Sequence, residues 1–228
     1  MKAKIGLLGC GNPSRNWYMP TLSELTKHGE VEWIALCDMD ETLAKKYGNQ
    51  YGVPYYLSLD EMLDKNKDLT AVCIVTSDPL HHVLGAQVAE RGVHVMVEKP
   101  MAMTLPACDM IIDACQRNNV HFEVAENYFR WPKQRLILKL IKEGILGDIV
   151  RVYFSEPKRQ LPFEPKVSFS DLGRPVSGFG RTGGMVMDMG AHRLSQLRLY
   201  AQSNPKKITA TVRRYRSDPV SYTHLRAH

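Results

Sequence analysis

The stretch KIGLLGCGNPSRN, Lys4 to Asn16, decides the fold. A short apolar strand pattern runs into Gly9 and Gly11, and a helical pattern follows to about His28. In a strand, turn and helix of this kind, backbone without Cβ atoms can approach a pyrophosphate at the positive N-terminus of the helix. Ser14 stands where a third glycine would permit close helix-to-strand packing, and serine is the next smallest compatible choice. The Gly-x-Gly-x-x-Ser turn is weak evidence alone, since tight loops are common. Its context strengthens it: Asp38 ends the next apolar run, near the position of the acid that accepts from an adenosine ribose hydroxyl. A carboxylate there repels a 2′-phosphate, and Met39-Asp40-Glu41 follows with no arginine, so NAD is expected over NADP.

Outward from that turn, short β-like runs alternate with amphipathic segments. Strands are predicted at KIGLLG, VEWIALCD, LTAVCIVTS, VHVMVEK and VHFEVAEN, five in all. Helices are predicted between them, with Ser58 and Glu61 at capping-box spacing and Pro79 and Gly92 bracketing another. This order predicts an α/β fold, a Rossmann-type doubly wound parallel sheet. After Tyr128 the pattern changes to a helix near 132–143, a strand IVRVYFSE, a Pro/Gly/Ser-containing stretch from Pro157 to Gly184, a helix near 185–202 and a strand KKITATVRRYR. That reads as an incomplete α+β domain with an open antiparallel sheet. The expected division is residues 1–127 for dinucleotide binding, 128–219 for substrate and oligomerisation, and 220–228 as a non-native tail.

Composition bounds the remaining possibilities. The net charge is +6, but Lys206, Lys207, Arg213, Arg214, Arg216 and Arg226 against Asp218 give the last stretch +5 and leave the rest at +1. No basic stripe interleaved with aromatics covers the body, so nucleic acid is not an expected partner. The five cysteines show no CxxC spacing and mostly sit in apolar runs, as reduced core residues of a cytoplasmic protein do. No metal ligand set is expected. MKAKIGLLGC superficially resembles a lipoprotein cleavage site, but its apolar run is too short for a signal peptide, and nothing approaches a membrane span.

Gly9-Cys10-Gly11-Asn12, Asp38, VTSDPLHH, EKP and GGMVMDMGAH occur in this order with a spacing that resembles the Gfo/Idh/MocA family of NAD(P)-dependent oxidoreductases, from Lys4 to about Arg216. The resemblance implies a dehydrogenase of sugars, inositols and related polyols, homo-oligomeric in its complete form. It implies Lys99 of the Glu98-Lys99-Pro100 motif beside nicotinamide and substrate, Asp188 and His192 as a catalytic pair, and Gly9, Gly11, Asn12, Ser14, Asp38, Thr76, His81 and Glu98 at the cofactor. Ser77 and Asp78 depart from the family's proline and asparagine after Thr76, and Ser195 stands where many members carry aspartate.

The chemistry agrees with these assignments. Oxidation of a secondary alcohol removes a hydride and a proton, so a titratable group must stand near the carbinol oxygen. The Lys99 ammonium can stabilise a developing alkoxide, and the His192 imidazole can take the proton near neutral pH. Asp188 and His192, four apart on a predicted helix, share one face beside a core stripe of Met187, Gly190, Leu194, Leu197 and Ala201. The expected site needs Lys99 and His192 at the same nicotinamide. His81 and His82 are predicted to open a helix, His82 for packing. Tyr128, Arg130 and Arg181 are candidate substrate contacts, while Trp131 is equally suited to packing. Each of these residues taken singly would be an ordinary capping, turn or core residue. Their joint occurrence carries the reading. Two alternatives use the same scaffold: an NAD-dependent glycoside hydrolase, distinguished by the lack of net NADH, and a non-catalytic dinucleotide-binding regulator, which has no need of Lys99, Asp188 and His192. Family members continue past the point where this chain stops, and PVSYTHLRAH, from Pro219, reads as leaving both the strand pattern and the family. The chain is therefore expected to be a truncated product, poorly soluble or inactive.

Overall fold

A computed structural model of the chain describes residues 2–154, 184–214 and 221–227. They form two compact units, Met1–Ala125 and Glu126–His228.

In the N-terminal unit, strands β1 (Ala3–Leu8), β2 (Val31–Cys37), β3 (Tyr55–Tyr56), β4 (Ala71–Ile74), β5 (His94–Val97) and β6 (Phe122–Val124) form one sheet in the order β3-β2-β1-β4-β5-β6. Every neighbouring pair is parallel. The sequence expectation of five strands is corrected to six. The sixth, β3, is a two-residue edge strand, too short to leave a period in the sequence. Helices α1 (Met19–Lys27), α2 (Glu41–Tyr51), α3 (Leu59–Lys65), α4 (His81–Glu90) and α5 (Leu105–Arg117) connect the strands. Their starts are written locally: Ser58 Oγ accepts from Glu61 N–H at 3.2 Å, Asp40 caps α2 and Thr104 caps α5.

Both sheet faces are covered, which is why the strands read as apolar runs without polar alternation. On β4, Val72 and Ile74 join the cluster containing Met62, Val88 and Ile111. Cys73 and the adjoining Val75 join the opposite cluster with Leu7, Met19, Trp33 and Leu36. The five cysteines are all unpaired, and burial pushes the thiols of Cys37 and Cys73 up to about 12.

The C-terminal unit contains a 3₁₀ turn at Tyr128–Arg130, helices α6 (Pro132–Lys142) and α7 (Gly184–Ala201), and strands β7 (Ile208–Arg214) and β8 (Ser221–Ala227). Three expectations are corrected here. Residues 149–154 of the expected strand IVRVYFSE pair with nothing in the described structure, and Val150 and Tyr153 are 95% and 81% exposed. An alternating pattern supplies a face but no ladder partner. Second, residues 221–227 do not leave the strand pattern: they pair antiparallel with β7, from Ile208 opposite Ala227 to Arg214 opposite Ser221. Third, among the described side chains of α7 the buried seam is His192, Gln196 and Tyr200, four apart, whereas Leu194 is exposed. The helix turns its polar row inward and leaves part of the predicted apolar stripe outside.

Candidate active site

The end of β1 shapes the turn. Gly9 has φ +104°, and a Cβ on it would lie 2.3 Å from the Val75 carbonyl oxygen, so only glycine fits between β1 and β4. Gly11 serves a different purpose. A Cβ there would meet nothing nearer than Pro13 Cδ at 3.9 Å, so its side of the turn is open to an approaching group. Asn12 Oδ1 accepts from Arg15 Nη2 at 2.8 Å. Ser14 is wholly buried with an unpaired hydroxyl and thus fills the packing role of a third glycine. Ser14–Tyr18 is wound as a π-helix before α1 begins.

Asp38 braces this turn from β2. Its carboxylate accepts from Cys10 N–H at 2.6 Å and from Asp40 N–H at 2.8 Å. The open Gly11 face, the glycine-only conformation of Gly9 and the fixed carboxylate fit a dinucleotide. Thr76, just past β4, touches the Gly9 position with its methyl, and its hydroxyl is buried and unpaired.

His81 lies between the loops after β4 and β5. Its ring is fully buried, Nδ1 lies 2.8 Å from the Pro100 carbonyl oxygen and Nε2 lies 3.3 Å from that of Thr76. Both nitrogens lie beside backbone carbonyl oxygens, and a neutral ring donates to one of them at a time. His82 has a buried, unpaired Nδ1.

The exit of β5 is similarly braced. Glu98 Oε1 accepts from the Tyr18 hydroxyl at 2.8 Å, and Oε2 accepts from Lys99 N–H at 2.9 Å. Burial, with the neighbouring Glu98 carboxylate, holds the Tyr18 phenol far above its ordinary pKa, so it remains a donor. Lys99 is half-buried on this turn, and its peptide bond to Pro100 is cis. Sequence reasoning missed Tyr18. Its signal lies in three-dimensional proximity, because it is 80 residues from Glu98 in the chain.

In the C-terminal unit, His192 Nδ1 lies 2.6 Å from Glu126 Oε2, with side chains only 6% and 10% exposed. The His192 ring stacks on Tyr128, centroids 3.9 Å apart and planes within 6°. Trp131 stands on Tyr128 at 4.3 Å. Arg193 places its guanidinium 5.2 Å from the Tyr128 ring centre and donates to Gln196 Oε1 at 2.6 Å. Ser195 donates its hydroxyl proton to the His192 carbonyl oxygen. Glu126 was not singled out by the sequence reading. It sits in an apolar run ending at ENY, where only tertiary packing shows its partner. Asp188 lies on α7 one turn before His192, and Arg130 holds its guanidinium 5.3 Å from the Phe129 ring centre. Arg181 lies outside the described residues.

Comparison with known proteins fits this geometry. Residues 3–126 match the family model described as "Oxidoreductase family, NAD-binding Rossmann fold", and residues 135–225 match the GFO/IDH/MocA C-terminal domain. The chain belongs to the Gfo/Idh/MocA oxidoreductase family. Its N-terminal unit is thus an NAD-binding Rossmann domain. The second match runs past Val220, alongside the pairing of β8. The chain is 30% identical over 216 residues to D-apiose dehydrogenase of Paraburkholderia graminis, covering 92% of this chain and 52% of the relative. It is 28% identical over 225 residues to scyllo-inositol 2-dehydrogenase (NADP(+)) of Bacillus subtilis, covering 97% and 58% respectively. Among solved structures, aldose-aldose oxidoreductase from Caulobacter crescentus complexed with glycerol superposes with a TM-score of 0.76 at 28% identity, covering 96% of this chain and 63% of that one. The chain spans about half the length of the curated relatives it matches. Among the described residues no helix is long and apolar enough to cross a membrane, and no cluster of three metal-ligating side chains occurs.

Proposed function

We propose that this chain carries the catalytic residues of an NAD-dependent oxidoreductase acting on a secondary hydroxyl of a sugar, inositol or related polyol. Relatives named for apiose and scyllo-inositol support the substrate class. When bound, NAD supplies the hydride acceptor. The chain's own residues do the rest. Asp38, pinned by Cys10 and Asp40 N–H groups, keeps a lone pair on each oxygen for ribose hydroxyls, and its charge disfavours a 2′-phosphate. Lys99 stabilises the alkoxide that develops on the carbinol oxygen, and His192 accepts its proton, with Asp188 adding a carboxylate from the same helix. Tyr128, Arg130 and Arg181 are proposed to contact the substrate. The buried His192–Glu126 pair carries the reading, because a dinucleotide-binding regulator has no use for a desolvated imidazole held by a carboxylate. The cysteines, none in a disulfide and all but Cys108 buried, support a reducing cytoplasmic setting. Exposed Leu136, Ile145 and Leu146 support homo-oligomeric assembly, to be checked by light scattering.

The test is a panel of polyols and aldoses assayed with NAD for absorbance of reduced cofactor. Lys99→Ala is expected to lower turnover by about three orders of magnitude while dinucleotide affinity changes by less than about threefold. An equal rate in the variant removes Lys99 from the mechanism. Release of free sugar without net NADH favours the glycosidase chemistry.

A further inference from the structure

The geometry points to Glu126 as the positioning residue of the catalytic imidazole, a role that neither the sequence motifs nor the comparisons assign to it; this inference rests on the reading of His192 as the proton acceptor. A histidine that exchanges a proton with substrate must present one particular nitrogen, and in free imidazole the proton moves between the two. Here two restraints act on the ring itself, and a third contact is made to its backbone. Glu126 Oε2 stands 2.6 Å from Nδ1, a distance typical of a charge-assisted bond. Tyr128 lies parallel to the ring at 3.9 Å and blocks tilting about the Nδ1 contact. Ser195 binds the carbonyl oxygen of His192 itself, at 2.9 Å.

An ionised carboxylate can only accept, so Nδ1 must carry a proton and Nε2 is left as the nitrogen that exchanges one. With the carboxylate 10% exposed, water competes poorly for the bond. Glu126 also accepts from Tyr128 N–H through Oε1 at 2.9 Å, which holds the carboxylate in register with the stacked ring. One acidic side chain thereby fixes both the imidazole and the residue that stacks on it. The neighbouring charges on the same helix are Asp188, one turn before His192, and Arg193, whose guanidinium sits by the Tyr128 and Phe154 rings.

The experiment is nitrogen NMR of the full chain with isotope-labelled histidine, alongside Glu126→Gln and Glu126→Asp. The expected wild-type spectrum has His192 protonated at Nδ1 with a low-field proton, and Glu126→Gln loses that resonance while NADH affinity is retained. On a substrate from the polyol panel, kcat in Glu126→Gln is expected to fall about 100-fold with KM nearly unchanged, and Glu126→Asp to recover part of it. A wild-type ring protonated at Nε2 alone overturns the proposal, whether or not the variants fold. So does a Glu126→Gln spectrum and kcat equal to wild type. A wild type showing the Nδ1 signature but oxidising no substrate sinks the oxidoreductase reading and leaves Glu126 as the group that sets the ring's tautomer.

Discussion

Among the described residues, the two units bury different kinds of side chain. In the N-terminal unit the interior is Leu7, Leu36, Val72, Ile74 and Ile111, all at 0% exposure, layered on either side of a parallel sheet. In the C-terminal unit the buried row on α7 is His192, Gln196 and Tyr200, with Gln134 buried on α6 and Glu126 before it, while Leu136, Ile145 and Val150 face outward. Hydrophobic burial explains the first arrangement. It does not explain the second, since polar groups are costly to bury and Gln134, Gln196 and Tyr200 each leave an atom unpaired. The N-terminal unit packs an apolar core beside its glycine turn, and the described part of the C-terminal unit packs polar side chains around one held imidazole.

The comparison can be broken most forcefully at Gly9. Gly9→Ala puts a Cβ against the Val75 carbonyl at a φ that alanine disfavours, and should cost more than about 3 kcal/mol in urea unfolding and abolish dinucleotide binding. Core truncation comes next. Ile111→Ala should cost about 2–5 kcal/mol, whereas Leu136→Ala, at a side chain 57% exposed, should stay within about 0.5 kcal/mol. Comparable losses at both positions would show that α6 has a partner that buries Leu136. The smallest effect is expected at Tyr200, whose phenol is pushed up by burial and finds no partner. Tyr200→Phe should be neutral or stabilising by up to about 1 kcal/mol, because it deletes a desolvated hydroxyl that makes no bond. A clear loss of stability would mean that the hydroxyl is bonded after all, and that the polar seam contributes to folding.

How much of this was legible in the sequence differs between the units for the same physical reason. Strands buried on both faces and helices capped by Ser58 and Thr104 are short-range patterns, so the alternation of strands and helices could be read directly. The edge strand Tyr55–Tyr56 was missed because two residues have no period. The glycine turn and Asp38 were legible as a spacing, but the bracing of Cys10 N–H by that carboxylate was not. In the C-terminal unit the apolar period of α7 pointed to Leu194, and the structure buries His192 and Gln196 instead. Pairings across 66 and 80 residues, Glu126 with His192 and Tyr18 with Glu98, leave no local trace. They become visible only when the chain is folded.

The proposed role of the polar row of α7 is to hold His192 as a proton acceptor. The most direct measurement is NADH formation from a polyol oxidised by the full chain, compared between wild type and His192→Gln, with dinucleotide affinity titrated in both. The expected result is a loss of about 10²- to 10⁴-fold in turnover with affinity nearly unchanged. Turnover equal to wild type in His192→Gln would contradict it.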